Sequence, residues 1–292
     1  MCSVPITNIR YLEGVNKDMK RILLVVLLVT VLAFGSAASA AVRVGVAMPT
    51  QSLQRWNQDG ANMKAMLEEA GYVVDLQYAN NDVALQVSQI ENMILNGANI
   101  LVIASIDGSS LGTVLAVAKD EGIPVIAYDR LIMETDAVSY YATFDNYMVG
   151  TIQGEYLVEK LELATRTDPV NIEITGGSAD DNNARYFYQG AYDAIAPYIE
   201  SGIVRVPSGQ IAFESVATMA WSSERAQARM DNLIAANYSD GTKLDAVLCS
   251  NDSTALGVTN SLVNAGFEEF PIITGQDCDV ANMKNILAGR QS

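Results

Sequence analysis

No histidine occurs anywhere in the 292-residue sequence. Its absence excludes Ser-His-Asp and Cys-His nucleophilic mechanisms, H-E-x-x-H zinc sites and a histidine general base. The sequence also lacks a G-x-x-x-x-G-K-[ST] loop and a G-x-G-x-x-G after a strand, which are the usual handles for nucleotide chemistry. Catalysis by carboxylates alone stays open at this point. Cysteine is scarce: Cys2, Cys249 and Cys278 are too few for a disulfide scaffold in a chain this size. Cys249 and Cys278 could pair across neighbouring strands, but two small buried thiols is the preferred reading. Positive charge is scarce too, with 18 Lys and Arg against 34 Asp and Glu. So acidic a surface repels phosphate backbones and anionic lipid, which argues against nucleic-acid and membrane-surface partners.

What is present divides the chain. Met19-Lys20-Arg21 opens a positive segment that leads into the apolar run Ile22 to Phe34 and then Ala38-Ser39-Ala40. This pattern predicts a secretory signal peptide over residues 1–40 with an A-x-A cleavage site, and a translation start at Met19. The apolar run is shorter than the roughly 20 residues that span a bilayer. Without these residues the net charge falls from −16 to −18, because they hold four basic and two acidic side chains. A periplasmic or extracellular protein is expected.

Beyond residue 40, short apolar runs alternate with helix-length segments. Val42 to Met48, Val73 to Ala79, Ile100 to Ser105, Pro124 to Tyr128 and Val138 to Phe144 read as strands. Amphipathic segments such as Gln58 to Ala70 and Val83 to Leu95 lie between them and close on Gly71 and Gly97. The alternation restarts at Val170 to Thr175 and continues through Ile203 to Val206, Ala246 to Ser250 and Phe270 to Gly275. The expected class is α/β: two doubly wound, Rossmann-like lobes with parallel sheets covered on both faces.

The two halves also resemble each other. Residues 101 to 130 and 246 to 277 both read as an apolar strand, Asp-x-x-x-Leu-Gly, a helix closed by Gly122 or Gly266, then Pro and a strand ending in Asp129 or Asp277. In an open parallel sheet, ligands bind outside the carboxyl ends of the strands. Asp107, Asp129, Asn251, Asp252 and Asp277 are therefore candidates for a shared crevice, with helix capping as the competing role for Asp107 and Asp252. Asp129 and Arg130 are neighbours on a strand and point to opposite faces, so each offers a different edge to a ligand. Carboxylates accept, a guanidinium donates in a fixed plane and Asn does both, which suits a ligand rich in hydroxyls.

Several stretches together carry a resemblance: SQIENMILNG, LVIASIDG, VIAYDRLI, ATFDN, GGSADDNNA and SGQ followed by ARMDNLIAA. The chain resembles the type I periplasmic sugar-binding proteins, and among them the xylose-binding and multiple-monosaccharide-binding branch. The resemblance implies two lobes joined by crossover strands that close on a monosaccharide and deliver it to an ABC importer's membrane permease. Some members also present the sugar to a chemoreceptor or sensor kinase. It implies first-lobe contacts at Arg55, Asp129 and Arg130, and second-lobe contacts at Asp181, Asn183, Trp221, Asn251 and Asp277. Trp56 beside Arg55 and Gln276 beside Asp277 are further candidates. No cofactor or metal is called for; the run from Asp180 to Asn183 lacks the glycine and distal glutamate of a calcium loop.

The expected lobes are residues 41–145 with 278–292, and residues 146–277. The chain is expected to cross between them at Phe144 to Asn146 and to cross back at Gly275 to Asp279. Relatives of this kind continue for several elements past the helix Val280 to Leu287, so the sequence reads as truncated. Hinge closure needs no covalent chemistry, which makes the chain a binding protein and not an enzyme. Three alternatives share parts of this pattern: a sugar-responsive repressor, which would carry a basic helix-turn-helix, a secreted glycosidase, which would need two carboxyls at a defined separation, and a sensory binding protein without an importer.

Overall fold

The computed structural model describes residues 41–292, and the expected signal peptide lies outside the described residues. Two parallel sheets organise it. The first takes the order β2-β1-β3-β4-β5 from β1 (Arg43–Met48), β2 (Val73–Tyr78), β3 (Ile100–Ile103), β4 (Val125–Tyr128) and β5 (Val138–Ala142). Along β1 the side chains alternate as a period of two requires. Val44, Val46 and Met48 enter a core with Trp56, while Ala47 enters the opposite core with Ile90, Met93, Leu101 and Leu115. Gly45 has no side chain because a Cβ there would press on Met93 Sδ and Leu101.

Three helices cover this sheet: α1 (Gln54–Glu69), α2 (Val83–Leu95) and α3 (Gly112–Asp120). Asp82 caps α2, its carboxylate accepting the Leu85 N–H at 3.0 Å. Helix α1 starts four residues before the sequence pattern suggested. Its N-cap, Leu53, makes no side-chain capping bond, so the usual Ser, Thr, Asp or Asn signal is missing. As a result Arg55 and Trp56 sit on the first turn of a helix.

The chain leaves β5 through residues 143–145 and enters α4 (Asn146–Lys160), capped by Asp145. The second sheet has the order β7-β6-β8-β9, from β6 (Val170–Thr175), β7 (Val204–Arg205), β8 (Ala246–Cys249) and β9 (Ile272–Ile273). Strands β7 and β9 are two residues each, shorter than the apolar runs that predict them. Around the sheet lie α5 (Asn182–Glu200), the short α6 (Phe213–Val216), a 3₁₀ turn (Met219–Trp221), α7 (Ser223–Asn237), α8 (Asp252–Asn264) and α9 (Val280–Leu287). Helices α4 and α5 meet backbone to backbone: a Cβ at Gly150 would overlap the Phe187 carbonyl, and one at Gly190 the Tyr147 carbonyl. One core cluster fills each face, around Ile172, Ile174 and Ile195 on one side and Val247, Val258 and Leu262 on the other.

Three expectations are corrected. Residues 278–292 do not join the first sheet, and residues 275–279 do not cross back to it. The Asp279 N–H donates to Asp252 at 2.8 Å, Asn282 Nδ2 to the Asp252 carbonyl at 2.8 Å and the Ser292 N–H to the Ile273 carbonyl at 3.1 Å. The segment is thus bonded to α8 and β9 of the second sheet. The thiols also differ from expectation: Cys249 is buried, but Cys278 is exposed. Cys278 stands in a left-handed turn (φ 60°) that turns it outward beside Met283 Sδ, 3.4 Å away. Among the described residues, no helix is long and apolar enough to cross a membrane.

Candidate functional site

The order 2-1-3-4-5 reverses direction between β1 and β3, and the order 7-6-8-9 does so between β6 and β8. Crevices at such switch points open at the carboxyl ends of strands. The segments that follow β1, β4, β6, β8 and β9 converge on one pocket between the sheets. Its walls carry Arg55, Trp56, Asp129 and Arg130 from the first sheet's side, and Asp181, Asn183, Trp221, Asn251, Gln276 and Asp277 from the second's. The cavity they enclose measures about 30 Å³, so the walls meet closely and the contacts between them are direct.

Arg55 is the hub of the first wall. Its Nη2 donates to Asp59 at 2.7 Å, and its Nη1 lies 3.0 Å from Asp129 Oδ2 and 3.8 Å from Asp277 Oδ1 across the cleft. Burial opposes its charge, yet Asp129, Asp277 and Asp59 outweigh burial and raise its pKa further. The guanidiniums of Arg55 and Arg130 both lie over the Trp56 ring, at 4.2 and 5.1 Å from its centroid. Arg130 is 5 % exposed. Its Nη1 donates to the Ser105 carbonyl at 2.9 Å, while Nε lies 3.1 Å from Asp181 Oδ2 without the alignment of a hydrogen bond.

On the second wall, capping and pocket-lining roles coincide. Asp181 caps α5 through Oδ1, which accepts the Asn183 N–H at 3.0 Å, and its Oδ2 accepts the Trp221 indole N–H at 3.2 Å. Burial pushes its carboxyl pKa up against the pull of Arg130. Asn251 caps α8 by accepting the Thr254 N–H at 3.0 Å, and its amide donates to Asp277 Oδ2 at 3.1 Å. Asp277 is perturbed in the same direction: burial, against Arg55 and Asn251, pushes its pKa up to about 7. Asn183 spans the cleft, its amide donating to the Asp129 carbonyl at 2.9 Å.

The backbone is strained where it presents these groups. Asp129, Trp221 and Asp277 take positive φ of 62°, 55° and 100°, and Ala220 before Trp221 takes 58°. Each such residue costs on the order of 1–2 kcal/mol, which surrounding contacts must offset. Trp221 is held on one side by Phe187, edge-on at 6.2 Å, and on the other by Gly177, where a Cβ would overlap the indole.

Ten of the twelve expected residues therefore line one pocket: Arg55, Trp56, Asp129, Arg130, Asp181, Asn183, Trp221, Asn251, Gln276 and Asp277. Asp107 and Asp252 do not. Asp107 accepts the Ser109 N–H at 2.7 Å in a turn before α3, and Asp252 turns behind α8 to accept the Asp279 N–H. Asp252 is not the cap of α8 either, since Asn251 takes that position. Sequence reasoning missed Leu53, Phe144 and Phe187, which add apolar lining. Phe187 follows Asn183 by four residues on α5, a spacing that puts both on one helix face and could have found it.

A model of the periplasmic binding protein domain matches residues 44–292. The chain is 49% identical to the multiple sugar-binding periplasmic protein SbpA of Azospirillum brasilense, over 85% of this chain and 70% of that protein. It is 37% identical to the D-xylose-binding periplasmic protein of Escherichia coli, over 94% of this chain and 78% of the relative. Among solved structures, an ABC transporter solute-binding protein from Clostridium phytofermentans with bound β-D-glucose is 68% identical. It aligns with a TM-score of 0.84 over 86% of this chain and 77% of its own. With a pocket at the strand ends between two parallel sheets, and that match across its described length, the chain belongs to the periplasmic binding protein domain family.

Proposed function

We propose that this protein captures a monosaccharide in the pocket between its two lobes and delivers it to the membrane permease of an ABC importer. The observation that carries the reading is the pocket's chemistry: eight hydrogen-bonding side chains, Arg55, Asp129, Arg130, Asp181, Asn183, Asn251, Gln276 and Asp277, line it together with two indoles. Acids and guanidiniums in fixed orientation match the donor and acceptor pairs of adjacent hydroxyls, and an indole face suits the C–H face of a sugar ring. Arg130 Nε is buried beside Asp181 without an aligned hydrogen bond, so its donor capacity is not fully used within the protein.

The relatives support this reading. The names of the 49% and 37% identical proteins specify sugar binding and D-xylose, and the 68% identical structure holds β-D-glucose. Export and residence in the periplasm agree with the same names. The hinge is assigned to residues 143–145, where the chain passes from β5 to α4. A sugar that touches both walls favours the closed state by its differential affinity for it, and the permease reads that state. No residue is given a catalytic role.

A second reading, presentation of the sugar to a chemoreceptor or sensor kinase, is favoured by one relative: a 48% identical protein from Rhizobium radiobacter is named a multiple sugar-binding periplasmic receptor. Uptake of labelled D-glucose and D-xylose by cells lacking the protein separates the two. Import predicts that uptake falls; unchanged uptake with lost chemotaxis or sugar-induced gene expression assigns it to sensing.

A further inference from the structure

We infer that Ser178, which does not line the pocket, is a positioning residue that holds Trp221 in its place within the cleft. The inference rests on the sugar-binding reading for its consequence, though not for its geometry.

After β6 the chain runs beside the segment that ends in Trp221, and the two are tied in sequence. The Gly176 N–H donates to the Val216 carbonyl at 2.9 Å, and the Thr218 N–H to the Gly177 carbonyl at 2.9 Å. At the next step a side chain takes over from the backbone: the Ala220 N–H donates to Ser178 Oγ at 2.7 Å. The same hydroxyl directs its proton to Met219 Sδ at 3.8 Å. Ser178 is 1% exposed, so this is an interior contact.

The peptide it grips is the strained one. Ala220 and Trp221 are consecutive left-handed residues, neither of them glycine, and an isolated chain would leave that conformation. The Trp221 N–H closes the turn on the Thr218 carbonyl at 3.0 Å, and its indole N–H reaches Asp181. Ser178 Oγ is the acceptor that fixes the first strained residue, and Gly177 leaves the space into which the indole then fits. Without that acceptor the turn can relax to negative φ, which swings the indole away from the sugar-facing wall.

The test compares wild type with Ser178→Ala, Ser178→Thr and the double variant Ser178→Ala with Ala220→Gly. Each is titrated calorimetrically with D-glucose and D-xylose, and the tryptophan emission of the sugar-free protein is recorded alongside thermal unfolding. The chain has two tryptophans, and Trp56 belongs to the opposite wall, so a change in emission reports Trp221. Ser178→Ala is expected to weaken binding about tenfold, the scale of one oriented aromatic contact, and to shift emission to longer wavelength. Ser178→Thr keeps the hydroxyl and should stay close to wild type. Glycine adopts positive φ freely, so Ala220→Gly should restore affinity and emission in the Ser178→Ala background. Unchanged emission in Ser178→Ala, or a double variant as weak as the single one, overturns the inference. If wild type binds no monosaccharide, the sugar reading fails and the emission spectra still decide the role of Ser178.

Discussion

The guanidinium of Arg130 and the carboxylate of Asp181 face each other across the cleft at 3.1 Å, with side chains 6 and 5% exposed. One follows β4 of the first sheet and the other caps α5 beside the second, so the pair ties the two lobes. Both charges are desolvated, and breaking such a pair by removing one partner costs about 3–5 kcal/mol, more than its formation contributes. Arg130→Met therefore strands a buried carboxylate and lowers the urea midpoint; adding Asp181→Asn, which keeps the cap, recovers part of the loss. Equilibrium unfolding of the two variants checks this, and a double variant less stable than Arg130→Met contradicts it.

Asp277 predicts a pH dependence. Its folded pKa of about 7 stands above the usual carboxylate value because burial outweighs Arg55 and Asn251, with Asp252 and Asp279 adding repulsion. A raised carboxyl contributes stability that is present at low pH and is lost as pH rises through the folded pKa. Relative to wild type, Asp277→Asn should gain on the order of 2 kcal/mol between pH 5 and pH 8. Denaturant titrations at the two pH values read the difference. Asp252, raised to about 6, titrates in the same range but is common to both proteins.

The α4–α5 contact gives a prediction independent of the pocket. Gly150→Ala or Gly190→Ala forces a Cβ into a backbone carbonyl of the facing helix, where no side chain can move aside. Overpacking of this kind costs about 1–3 kcal/mol or more, so each variant should lower the thermal midpoint by several degrees. Gly71→Ala makes a useful contrast: nothing lies near its Cβ position, and its penalty comes from its positive φ of 91°.

Trp221 carries the aromatic wall of the second lobe. Trp221→Ala is expected to weaken monosaccharide binding at least tenfold, and Trp221→Phe, which keeps a ring but loses the donor to Asp181, by less. Calorimetric titration ranks the three. Equal affinity in Trp221→Ala and wild type removes the indole from the site.

Much of the fold is legible in the sequence. Apolar runs of strand length, spaced by amphipathic segments, gave both sheets, and residues 83–95, 170–175 and 280–287 match the observed elements end to end. The pocket residues at strand ends were readable because open parallel sheets bind ligands in the crevice outside the carboxyl ends of their strands. What escaped has physical causes. The start of α1 escaped because Leu53 begins the helix without a capping side chain. Asp252 looks like a cap in the repeated Asp-x-x-x-Leu-Gly, yet Asn251 one residue earlier takes the position, and in the first repeat α3 starts only at Gly112, after an Asp107 turn. The docking of residues 280–292 on α8 and β9 depends on Asn282, Gln291 and Ser292, whose long-range hydrogen bonds leave no periodic trace.

The most direct test of the central claim is isothermal titration of the protein with D-xylose, D-glucose, D-galactose, L-arabinose and D-ribose. The account predicts saturable binding of one or a few of these at micromolar affinity or tighter, abolished by Asp129→Ala and by Asp277→Ala. No heat with any of the five, from protein shown by circular dichroism to be folded, would contradict it.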